Sequence, residues 1–65
     1  MKVYYRHGYS SDEYLGDYVD LHLNCGLEFI LTATGNTFTV GGEERPYTEH
    51  SQEGSTFIIH CPENY

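Results

Sequence analysis

Alternation of apolar and polar positions dominates the chain. Leu27, Phe29, Leu31 and Ala33 alternate with Glu28, Ile30, Thr32 and Thr34, and only Ile30 breaks the pattern. A period of two predicts a strand with one buried and one wet face. Val19, Leu21, Leu23 and Cys25 alternate with Asp20, His22 and Asn24 and predict a second strand by the same rule. Between the two, Asn24-Cys25-Gly26 offers a short connection, with a glycine available for positive φ. Thr34-Gly35-Asn36 predicts another turn, leading into Thr37-Phe38-Thr39-Val40, whose β-branched and aromatic residues favour a strand.

Thr56 to Cys61 predicts the last strand, with Phe57, Ile59 and Cys61 on one face, entered from a turn at Gln52-Glu53-Gly54. Pro62 ends it, leaving residues 62–65 as a tail. Lys2 to Arg6 predicts a first strand that presents Val3 and Tyr5 to one side. Gly41 to Pro46 reads as a loop, and Pro46 cannot donate to a ladder, so Tyr47 to His50 is at best an edge strand. The helical candidate is Ser10 to Tyr18: Ser10 and Glu13 have capping-box spacing, and the acids suit a helix N-terminus. Gly16 would cut such a helix to a turn or so, near residues 11–16.

These elements predict one small domain over residues 1–65, all-β or β-rich α+β in class. The expected architecture is an antiparallel meander of about five or six strands, as a curled sheet or small barrel. A flat single sheet cannot bury both faces.

Composition narrows the function. The chain has 65 residues, and a domain of that size buries only about 60% of its unfolded surface. Ten acids against three bases give a net charge of −7 and a pI near 4.7. Lys2, Arg6 and Arg45 are too few to bind a nucleic acid through its phosphates, and the charge opposes an anionic membrane surface. Tyr4, Tyr5, Tyr9, Tyr14, Tyr18 and Tyr47 are numerous enough for a base-stacking platform, but the basic groove such a platform needs is missing. The longest apolar run, Phe29-Ile30-Leu31, resembles neither a signal-peptide core nor a membrane span. The expected location is therefore cytoplasmic, the host cytoplasm if the gene belongs to a phage.

Candidate chemistry is sparse. Under reducing conditions Cys25 and Cys61 are thiols; paired, they would contribute roughly 3.8 kcal/mol on the chain-entropy model. His22-x-x-Cys25 and His60-Cys61 supply enough donors for a zinc site, but on strands each pair points to opposite faces. No metal or cofactor is expected. No nucleophile elbow, glycine-rich phosphate loop or HExxH spacing is present, and an enzyme is not expected.

The acid and tyrosine pattern carries the functional expectation. Asp12, Glu13, Asp17 and Asp20 interleave with Tyr14 and Tyr18, and a second cluster holds Glu43, Glu44, Glu49 and Glu53 around Tyr47. Tyrosine supplies contact area at low entropic cost, and carboxylates beside it attract a basic surface over long range. The expected partner-binding residues are Asp12, Glu13, Tyr14, Asp17, Tyr18, Asp20, Glu43, Glu44 and Tyr47. The expected partner is a larger protein with a basic surface.

By analogy of size and charge, the chain reads as an inhibitor from a phage or other mobile element. Such a protein would act by DNA mimicry or another block on a host nuclease, CRISPR effector (anti-CRISPR) or restriction enzyme (antirestriction). The alternative is a structural or regulatory β domain acting as a homo-oligomer, a homodimer in the simplest case. It would pair through an edge near Pro46 to His50 or near Met1 to Tyr5.

Overall fold

The computed structural model describes residues 1–8 and 11–62. In chain order the elements are β1 (Lys2–His7), β2 (Ser11–Asp17), α1 (Tyr18–Asn24), β3 (Glu28–Thr32), β4 (Gly35–Val40), β5 (Glu43–Tyr47), β6 (Glu49–Glu53) and β7 (Thr56–His60). The all-β class holds, with one short helix added. The strands form two sheets, one of order β2-β1-β7-β6 and one of order β3-β4-β5.

The second sheet is an antiparallel meander, as expected. The first is not, because β1 and β7 run parallel at its centre, Val3 opposite Phe57 and Tyr5 opposite Ile59. Parallel neighbours need a long crossover, and here everything between β1 and β7 supplies it. The expected edge at Met1 to Tyr5 is corrected by this arrangement: β1 is paired on both sides. The segment Pro46 to His50 does lie on edges, at the end of β5 and the start of β6.

Three local expectations are corrected. Residues 11–17 form a strand, not a helical turn, and the proposed cap Ser10 lies outside the described residues. Residues 19–25 form most of a helix and its cap, not a strand. Seven residues are too few to separate the two periods, because Tyr18, Leu21 and Cys25 also fall at helical spacing. The contest is decided by Asp17, which caps the helix by accepting from the Val19 N–H at 3.0 Å. Val19 and Leu23, expected inside, are consequently 59% and 71% exposed, while Leu21 is buried. Thirdly, Gly41 and Gly42, with φ of 59° and 80°, make a two-residue hairpin turn, and Glu43 to Tyr47 is a strand, not a loop.

The core lies between the sheets. Val3, Tyr5, Phe57 and Ile59 of the first sheet face Leu27, Phe29, Phe38 and Tyr47 of the second side, with Leu21 entering from α1. Tyr5 packs edge-on against Phe38 at 5.3 Å between centroids, and Phe29 meets Phe57 at 6.1 Å. Each buried large side chain contributes about 1.5–3 kcal/mol. Only Thr48 separates β5 from β6, and its N–H donates to the His60 carbonyl at 3.0 Å, carrying the chain from one sheet to the other. A bulge between Val3 and Tyr4 leaves Leu15 without a partner on β1 and packs it against the core.

Candidate protein-binding surface

Strand alternation sorts the acidic segment of β2 onto two faces. Register places Asp12 beside Arg6 and Tyr14 beside Tyr4, on the face of the first sheet turned away from the core. The same register continues across β7 and β6. One row runs Asp12, Arg6, His60, Glu49; the next runs Tyr14, Tyr4, Ile58, Ser51; the third runs Asp17, Lys2, Thr56, Glu53. The middle row is the apolar one. Tyr14 is 56% exposed and its ring lies 5.4 Å from that of Tyr4, whereas Ile58 beside Tyr4 is buried.

Ion pairs tie down part of this face. Arg6 donates to Asp12 through Nε at 2.8 Å and through a second nitrogen at 3.1 Å. The hydrogen bond from Arg6 holds the Asp12 carboxyl below its ordinary value of 3.8. Asp17 is held low first by the N-terminal ammonium, 3.1 Å away, and then by the capped Val19 N–H. Ser51 Oγ lies 3.2 Å from His60 Nε2.

Glu13 points the other way, toward the second sheet. There Arg45 Nη1 donates to it at 2.9 Å, while Arg45 Nε donates to Glu43 at 2.6 Å. That hydrogen bond from Arg45 depresses the Glu13 acid, with a further contribution from His7. The two acidic clusters of the sequence therefore meet at a seam between β2 and β5, joined by one guanidinium. In the sequence Arg45 is only a scarce base; nothing in its local context signals this role, which depends on how the sheets pack.

The remaining expected residues separate. Glu44 lies opposite Thr39, which lies opposite Glu28, so both acids share the outer face of the second sheet. Asp20 sits exposed on α1 and accepts from the Asn24 amide at 2.8 Å. Tyr18 is half-buried, stacked parallel to His22 and tilted against Phe57. Tyr47 is buried among Phe29 and Phe38, so its ring is a core element and not an exposed anchor. Glu49 and Glu53, absent from the expected set, border the outer face with Asp12 and Asp17; their spacing on an edge strand was the available signal.

Charge is distributed unevenly once these pairs are assigned. Among the described residues both arginines are committed to the chain's own carboxylates, whereas Asp20, Glu28, Glu44, Glu49 and Glu53 take part in no ion pair. Also among the described residues, no three His, Cys, Asp or Glu side chains converge as a metal site, and both cysteines are free thiols. Among the described residues no helix is long and apolar enough to cross a membrane. No protein-family model, curated protein sequence or solved structure matches the chain.

Proposed function

We propose that this chain is a small acidic protein-binding module that occludes a basic, nucleic-acid-binding surface of a larger protein. Its action would be that of an inhibitor carried by a phage or other mobile element, working in the host cytoplasm. The observation that carries this reading is the separation of paired from unpaired charge. Both arginines are bonded to the chain's own carboxylates, so among the described residues Lys2 is the one side-chain ammonium that an approaching basic surface meets beside the unpaired carboxylates. Such a field accelerates association and repels nucleic acid from the same ground. Tyr14 supplies an exposed aromatic contact beside Asp12 on the outer face of the first sheet.

The test begins with capture of partners from a host lysate, salt elution and identification by mass. A captured protein is then assayed for DNA or RNA binding with and without this chain. The expected result is a partner that leaves in moderate salt and whose nucleic-acid binding is blocked. A quintuple variant (D20N, E28Q, E44Q, E49Q, E53Q) should weaken that block at least tenfold. A block of undiminished strength with that variant overturns the mechanism.

A further inference from the structure

Each sheet ends in two edge strands, and an unpaired edge is a template for another chain. Among the described residues the edges are β2 and β6 in the first sheet, β3 and β5 in the second. Three carry the features that discourage pairing. β2 holds Asp12, Glu13 and Asp17; β6 begins and ends in glutamate; β5 holds Glu43, Glu44 and Pro46, whose nitrogen cannot donate.

β3 lacks these defences. Its sequence is Glu28-Phe29-Ile30-Leu31-Thr32, with one charge at one end and no proline. Leu31 alternates onto the same face as the half-buried Phe29, yet it is 75% exposed, the most exposed of the large hydrophobic side chains described. The core thus runs out at β3 with an apolar side chain still pointing along the layer.

We propose that β3 pairs antiparallel with β3 of a second copy, about a two-fold axis through Ile30. The charge pattern selects this occupant and this register. Pairing about Ile30 sets Phe29 opposite the partner's Leu31 and Ile30 opposite its equivalent. Glu28 then faces the partner's Thr32, so the like charges sit at opposite ends of the ladder. The same operation on β6, about Ser51, sets Glu49 against Glu53. The outer face of the first sheet also resists self-docking: a two-fold axis along its strands would place Asp12 over Glu49, and one across them Asp12 over Asp17. The dimer joins the two three-stranded sheets into one continuous sheet and leaves the outer face of the first sheet, with Tyr14, Glu49 and Glu53, free on both copies.

The test is the mass of the full chain in solution by sedimentation equilibrium across protein and salt concentration. The expected result is a mass twice the 7.5 kDa protomer, with association unchanged or tightened by salt, because each copy carries −7. Leu31→Glu should weaken dimerisation at least tenfold and remove hydrogen-exchange protection from the β3 amides that face away from β4. Leu23→Glu, an equally exposed change on α1, should do neither. A protomer mass at millimolar protein and high salt overturns the proposal, as does equal weakening by both variants. Basic-partner binding, which weakens with salt, is read separately: a monomeric chain that still binds its partner refutes the dimer alone.

Discussion

Arg45 Nη1 donates to Glu13 Oε2 over 2.9 Å, linking an edge strand of one sheet to an edge strand of the other. The same guanidinium bonds Glu43 and lies 5.4 Å from the centroid of the Tyr5 ring. A single side chain therefore closes one margin of the core and bridges two acids at once.

Arg45→Ala should lower unfolding stability by about 1 kcal/mol, read as a urea midpoint. The ion pairs are discounted because Glu13 and Glu43 are well exposed and screened, leaving the aromatic contact and stem packing as the larger part. Arg45→Lys should recover only part, since an ammonium cannot bridge two carboxylates in the fork geometry. Full recovery by lysine would mean that charge alone matters at this seam.

Gly16 has φ of +144°, and a Cβ there would lie 3.2 Å from Leu21 Cδ2. Leu21 is the side chain that anchors α1 to the core. Gly16→Ala should therefore cost roughly 1–3 kcal/mol through backbone strain and displacement of Leu21. For a domain of this size each 1 kcal/mol moves Tm by about 4–8 °C, so a calorimetric scan suffices. An unchanged Tm would show that α1 shifts without loss.

Tyr5 is fully buried, and its hydroxyl donates to the Pro46 carbonyl at 2.6 Å. Tyr5→Phe keeps the ring against Phe38 but leaves that carbonyl short of a donor, a loss of about 1–2 kcal/mol. Tyr14→Phe, at an exposed ring, should change stability by less than about 0.5 kcal/mol. The contrast between the two, measured in parallel, checks which tyrosines are structural.

Asp12, Glu13 and Asp17 all titrate below their ordinary values, because hydrogen bonds from Arg6, Arg45 and the N-terminal ammonium respectively favour the charged form. Their contribution is present above the ordinary carboxylate range and is lost as pH falls through their lowered values. Glu13→Gln should therefore narrow the stability difference from the native chain as pH drops from about 6 to 3. Urea midpoints of both proteins at each pH give the comparison. A gap that stays constant or widens toward pH 3 would contradict the assigned role of Arg45.

Some of this fold was legible residue by residue. The alternation of Phe57 and Ile59 placed them on the core side of β7, with Cys61 just beyond it also in the core. The turns before β4 and β7 overlap the expected ones only at Thr34 and Gly54, because Gly35 and Asn36 open β4 and Gln52 and Glu53 close β6. Pro46 marked an edge strand because its nitrogen cannot serve a ladder. The partner-binding set was legible only as composition. Asp12, Tyr14 and Asp17 share one face, whereas Glu13 turns to Arg45 and Tyr47 enters the core.

The sequence by itself determined the β-rich class, the strong negative charge and most strand faces, since alternation and net charge are local or additive properties. Tertiary structure decided the rest. Residues 18–24 satisfy two periods at once, and the choice of helix came from the Asp17 cap and the seat of Leu21 against Gly16. Pairing β1 with β7 brings residues from opposite ends of the chain together, which no window of sequence records. Which carboxylates remain unpaired depends on where Arg6 and Arg45 reach, and that is fixed by register and by the contact between sheets.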